Sequence, residues 1–314
     1  VTGSLPRRVL QTVVCALAAW TLAAGPAVAA PQGFSIQVSG VSAPVGMAAD
    51  TDGNCYWVTD GSSRTTRTLV AVDAEGRRSK EVSWQAMPTN VQALAWSDSS
   101  LFVGDIGDPT ASRKSIQVLS PQALDGSATS WRAWDLVYPD GPHDADAMAV
   151  SGRGNIYIVT RGDSPAIYRA PTELSRDTDN TLVRVASAPA DVTDAVFLSD
   201  GKRIALRTRD QVTLVDAYTW KTLATAPVSP SGGDAISSTL SGDGLQLAGS
   251  STTVTGMSLP GGSTSATPTP SASAAAPAHS DDDDTAGIRW GTLITLVASV
   301  LLAVAAAVVV YRAK

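Results

Sequence analysis

One plan recurs five times between Pro44 and Met257, and this recurrence constrains the fold more than any other feature. Each repeat opens on a segment of small and apolar residues: Pro44-Val-Gly-Met-Ala-Ala-Asp, Asn90-Val-Gln-Ala-Leu-Ala-Trp, Asp144-Ala-Asp-Ala-Met-Ala-Val, Val192-Thr-Asp-Ala-Val-Phe-Leu and Gly232-Gly-Asp-Ala-Ile-Ser-Ser. A polar or Gly-containing turn follows, then a β-branched or aromatic run: Tyr56-Trp-Val-Thr, Leu101-Phe-Val-Gly, Ile156-Tyr-Ile-Val-Thr, Arg203-Ile-Ala-Leu-Arg and Leu245-Gln-Leu-Ala-Gly. A third run comes after each of these, from Thr68, Ser115, Ala166, Val212 and Thr253. Alternating or β-branched runs between turn signals read as strands, and no stretch holds a helical period for three turns.

Counted from Tyr56, Phe102, Tyr157, Ile204 and Gln246, the second runs are 46, 55, 47 and 42 residues apart. That interval accommodates one four-stranded sheet and is the signature of β-propeller blades. The expected fold is therefore all-β, a propeller of five four-stranded blades, with a six-blade ring or a two-sheet sandwich as the alternatives. Fourth strands fit at Lys80-Glu-Val-Ser-Trp, Ser130-Trp-Arg-Ala-Trp and Lys221-Thr-Leu-Ala-Thr, whereas the last repeat lacks one. Phe34-Ser-Ile-Gln-Val can supply it and close the ring, which removes an exposed sheet edge.

The apolar share of 44% is concentrated outside this repeat. Arg7-Arg8, an apolar run from Val9 to Leu22, and small residues at Ala27 and Ala29 read as a secretory signal peptide over residues 1–29. Trp290 to Tyr311 is a run of 22 residues without a charge, long enough to cross a bilayer. Arg312 and Lys314 behind it, and Asp281 to Asp284 ahead of it, orient a transmembrane helix over 288–311 with a cytoplasmic tail at 312–314. Residues 260–287, rich in Pro, Ser, Thr and Ala, form an acidic stalk, and residues 30–259 form the extracytoplasmic domain. Between Pro31 and Leu259 the chain holds 18 basic and 25 acidic residues, and a net charge of −7 argues against a nucleic-acid partner. Cys55 is the only cysteine past the signal, so an internal disulfide and a thiolate-rich metal site are excluded.

Aligning the first strands places Gly46, Gln92, Asp146, Asp194 and Asp234 at one position, where a propeller's inner strands face the central channel. Three carboxylates converging there would raise one another's pKa unless a cation or backbone donors intervene. Asp105-Ile-Gly-Asp108-Pro and Tyr138-Pro-Asp140-Gly-Pro-His143-Asp144-Ala-Asp146 add acidic loops from consecutive blades. Asp105, Asp108, Asp140, Asp144, Asp146, Asp194 and Asp234 are the candidate ligands of a calcium ion, since oxygen ligands spaced by Gly and Pro suit its irregular coordination. Asx-turn chemistry and strand-start locking are the competing accounts. Arg161 and Arg207 either neutralise this mouth or bind an anionic ligand. His143 is the only histidine in the repeat region, so any imidazole base rests on it. No Gly-x-Ser-x-Gly elbow and no Gly-rich phosphate loop is present.

At Asp105-Ile-Gly-Asp108-Pro109, Tyr138-Pro-Asp-Gly-Pro-His143-Asp144-Ala-Asp146-Ala and Leu206-Arg207-Thr208 the chain resembles a family of secreted or membrane-anchored bacterial β-propellers. That family carries Asp-Ile-Gly-Asp-Asn, Tyr-Pro-Asp-Gly-x-x-Asp-Ala-Glu-Ala and a later Leu-Arg-Thr. It has no assigned activity and is loosely similar to propellers labelled phytase-like esterases. Pro109 stands where the family has Asn, and Asp146 where it has Glu, which draws that carboxylate back by about one methylene. The expected function is a membrane-anchored, extracytoplasmic binding module for a ligand or protein, stabilised by calcium. The alternative is a cell-surface calcium-dependent esterase or phosphoesterase with His143 as its base.

Overall fold

A computed structural model describes residues 30–128 and 130–261. The expected signal peptide, transmembrane helix and tail, and the stalk beyond Gly261, lie outside these residues. No helix among the described residues is long and apolar enough to cross a membrane.

Five antiparallel sheets succeed one another along the chain, each begun by one of the five inner segments. Blade one comprises Gly46–Asp50, Cys55–Thr59, Thr68–Val72 and Arg78–Trp84, and blade two Val91–Ser97, Ser100–Asp105, Ile116–Pro121 and Trp131–Val137. Blade three comprises Ala145–Val150, Ile156–Thr160, Ala166–Arg169 and Val183–Ser187, and blade four Asp194–Phe197, Arg203–Arg207, Gln211–Asp216 and Thr222–Pro227. Blade five takes Ala235–Ser238, Gly244–Ala248 and Thr253–Ser258 from the end of the domain and Phe34–Ser35 from its beginning. The fold is a five-bladed β-propeller. A short helix, Ser63–Arg67, lies in a loop of blade one.

Because side chains alternate across a strand, each blade buries two faces, one against each neighbour. The apolar residues accordingly form five clusters, one per seam. Tyr157 and Val159 pack toward blade four, whereas Ile156 and Ile158, on the same strand, pack toward blade two. In blade one Trp57 faces blade two, and Tyr56 and Val58 face blade five. Near the axis there is little room. A Cβ on Gly46 would lie 2.8 Å from the Leu94 amide nitrogen of the next blade. The axial void is about 40 Å³, lined by Met47, Leu94, Trp96, Ala149 and Phe197 among others.

Ring closure follows the expected route. Phe34 pairs with Val254 and Ser35 with Thr253, and the Ile36 amide donates to the Thr252 carbonyl at 2.8 Å. The chain then crosses to blade one, where the Gln37 amide donates to the Gly76 carbonyl at 2.7 Å and the Phe34 ring stacks on Tyr56 at 5.3 Å. Gly76 has φ of 81°, and a Cβ there would collide with the Ser35 carbonyl oxygen at 1.9 Å, so this crossing admits only glycine. Two short strands were not anticipated. Gly126–Ala128 pairs in parallel with the outer strand of blade one, and Asn180–Thr181 with that of blade two, so the outermost strands are stapled to the following blade.

A chain starting at Ser39 exposes the edge of Thr253–Ser258 and uncovers the sites of Ile36 and Val38, each fully buried side chain being worth about 1.5–3 kcal/mol. It is expected to unfold at least about 3 kcal/mol less stable in urea and to self-associate on size-exclusion chromatography.

Candidate functional site on the upper face

Loops joining second to third strands, and those passing from an outer strand to the next inner strand, share one face of the ring, here the upper face. The turns joining first to second and third to fourth strands make the lower face. All the acidic candidates lie on or just beneath the upper face.

The first group locks loops. Asp105 accepts the Thr89 and Asn90 amides at 3.0 and 2.6 Å, and both its oxygens take the Arg113 guanidinium at 3.0 and 3.1 Å. Asp108 accepts the Arg113 amide at 2.7 Å, while its own amide donates to Asp144 at 2.7 Å. Asp144 thereby ties the loop of blade two to the start of blade three, and its carbonyl receives the Arg161 amide at 2.9 Å.

The second group bridges blades four and five. Asp194 is fully buried and accepts the Ala195 amide at 2.8 Å and, across the seam, the Ile236 amide at 2.9 Å. Burial drives its carboxyl well above the usual range, against these two donors. Its partner in register, Arg207, is also buried and donates to the carbonyls of Ala235, Ala248 (2.6 Å) and Gly232 (2.9 Å). Burial draws this guanidinium down to about 10, still protonated at neutral pH. Arg207 is thus enclosed in the seam, away from any ligand.

The third group is open. β-Bulges displace Gln92 and Asp146 from the register of their strands, and a bulge re-aims the side chain it carries. Asp146 takes Arg161 Nη1 at 2.5 Å, and Arg161 Nη2 lies 3.9 Å from Asp191 at the rim. Asp234 pairs with Arg209 at 3.4 Å. Arg161 and Asp191 stand where two clefts meet. One, of about 780 Å³, runs past Thr193, Thr208, Arg209 and Gln211. The other, of about 610 Å³, runs past Pro109, His143, Asp144 and Ser164. They form a polar trough over blades two to four.

His143 stands at one end of it. Its Nε2 lies 3.1 Å from Asp140 and 3.2 Å from the Tyr168 hydroxyl, which donates to Asp140 at 2.7 Å. The Tyr138 ring meets both His143 and Tyr168 edge-on at 5.0 Å. Burial opposes the Asp140 carboxylate, but the Tyr168 and His143 contacts prevail and hold its pKa below the usual range.

The candidates therefore divide rather than converge. Asp105, Asp108 and Asp194 have both oxygens engaged by protein donors, and among the described residues no three His, Cys, Asp or Glu side chains gather as a metal-holding group. The arrangement does not fit a calcium cage built from these residues. Arg113, Tyr168, Asp191 and Arg209 were not singled out from sequence. Arg113 alone left a local signal, five residues past Asp108; Tyr168 meets Asp140 across 28 positions, a distance no spacing rule reaches.

The site belongs to a five-bladed β-propeller with a charged upper trough. No protein-family model matches the chain, and no curated protein matches it. Among solved structures the chain is similar to a 6-phosphogluconolactonase candidate from Bacteroides uniformis, with 15% identity and a TM-score of 0.39, over 66% of this chain and 64% of that one. It is also similar to the Kuenenia stuttgartiensis hydrazine synthase, with 13% identity and a TM-score of 0.38, over 65% of this chain and 61% of the other. The chain thus spans under two thirds of either protein.

Burial pushes the Asp146 carboxyl up to about 6, offset by Arg161 and reinforced by Asp144. A raised carboxyl pKa favours the folded state most at low pH, and that contribution is lost as pH rises through 6. The stability of Asp146→Asn relative to wild type is therefore expected to increase between pH 4.5 and 7.5 in parallel urea denaturations, and a flat or falling difference would contradict the shift.

Proposed function

We propose that the protein is a membrane-anchored, extracytoplasmic propeller that binds an anionic ligand in its upper-face trough. The observation that carries this reading is the setting of Arg161. Asp146 fixes one end of its guanidinium at 2.5 Å, and the other end faces the trough beside the well-exposed Asp191 at 3.9 Å. A guanidinium held at one end presents its remaining donors in a planar fork suited to a carboxylate or phosphate. Arg209, mostly exposed farther along the trough, adds a second cation. The upper loops take this role because the axis beneath them is too narrow to admit a ligand. The segments 1–29 and 288–311 supply export and anchorage.

A second reading draws on His143. An imidazole held by Asp140 and Tyr168, on the cleft that Arg161 also lines, has the setting of a general base for ester or phosphoester hydrolysis.

Titration calorimetry with inorganic phosphate and citrate separates the two readings. Binding is expected to weaken about tenfold or more in Arg161→Ala, with Arg161→Lys intermediate. Loss of phosphate and citrate binding from the wild type itself would sink the binding reading. Turnover of p-nitrophenyl acetate or p-nitrophenyl phosphate that disappears in a folded His143→Ala would establish the hydrolase instead.

A further inference from the structure

The lower face carries a groove of about 520 Å³ between blades three and four. Its aromatic wall is built from three rings, with Phe197 and Trp220 at 5.3 and 5.6 Å from Tyr157. Arg153, Arg169 and Lys202, all exposed, surround it, and none is in a salt bridge among the described residues. The acidic residue on the groove, Asp200, is engaged by the Arg203 guanidinium at 2.5 Å and by the amides of Lys202 and Arg203. In a domain of net charge −7 this is a local concentration of uncompensated positive charge over aromatic surface.

Trp220 sits in the turn between the third and fourth strands of blade four with φ of 60°. The other described non-glycine residues at positive φ are Asn54, Asp98, Ser99, Ala111 and Asp191, all with short side chains. Left-handed backbone is unfavourable for a bulky side chain, and glycine or asparagine would make this turn with less strain. A strained conformation retained for a large ring points to a role for the ring itself.

We infer that this groove binds an acidic saccharide. The apolar C–H face of a pyranose packs on the electron-rich face of an aromatic ring, and its carboxylate or phosphate accepts charge-assisted hydrogen bonds from the guanidinium and ammonium groups. The trough around Arg161 offers guanidinium donors without such an aromatic wall, so the two faces select different ligands. The saccharide is either a free acidic sugar or a residue within an acidic polysaccharide.

Calorimetric titration of the full chain with galacturonic acid, polygalacturonate and neutral maltohexaose tests the inference. One or both uronates are expected to bind, and maltohexaose to bind at least about tenfold more weakly. Arg169→Ala and Lys202→Ala should each weaken uronate binding about tenfold. Trp220→Gly should weaken it similarly but also lower the melting temperature, since the ring packs on the core between blades three and four, so the exposed Arg169 and Lys202 variants decide the matter. Tighter binding of the polymer per uronate identifies a chain segment as the ligand, and equal binding identifies the free sugar. Absence of uronate binding at about 10 mM, or unchanged affinity in both Arg169→Ala and Lys202→Ala, would overturn the inference. So would uronate binding that is lost in Arg161→Ala but retained in Arg169→Ala, because the ligand would then occupy the upper trough.

Discussion

Crowding at the ring axis is the constraint on which the rest of the structure depends. Five inner strands approach so closely that a single added methyl at Gly46 would strike the backbone of the next blade. Only small side chains, with a few larger ones filling the remaining space, can line such an axis, hence Ala48, Ala49, Ala95, Ala149 and Ala195. Large apolar groups are displaced into the seams, where the alternation of each strand directs them to left and right by turns. With the axis too narrow for a ligand and the seams packed with apolar side chains, ligand chemistry is left to the loops of the two faces.

The repeat was legible because every blade must bury both its faces, which forces the same apolar pattern to recur at near-constant spacing. Closure by Phe34 was legible for the same reason, since the last repeat lacked an outer strand that the first residues of the domain could provide. The staples Gly126–Ala128 and Asn180–Thr181 were not, because two or three polar or small residues carry no period. The outer strand Val183–Ser187 escaped for want of burial, being mostly exposed.

In the candidate site the sequence located residues but not their directions. Asp146 and Asp194 occupy equivalent places in their repeats, yet Asp194 reaches sideways to the Ile236 amide, and a bulge presents Asp146 to Arg161. Arg161 and Arg207 diverge likewise. Arg207 ends its strand and enters the seam, whereas Arg161 lies one residue past its strand and remains on the loop. A displacement of one position along a strand decides between a structural cation and an accessible one. The aromatic wall of the lower face was invisible in sequence because Tyr157, Phe197 and Trp220 come from separate strands and turns of two blades.

The closing strand also joins the two ends of the domain, which bears on how readily it folds. Ser35 and Thr252, which meet at 3.5 Å, are 217 positions apart. Contacts this distant in sequence carry a large loop-closure cost and slow folding. The strand that pairs with Phe34 and Ser35 is the last of the domain in sequence, so this pairing requires blade five to be present. A chain that stops short of blade five leaves Phe34 without its strand partner, keeping only its stacking on Tyr56 of blade one, and the ring cannot close.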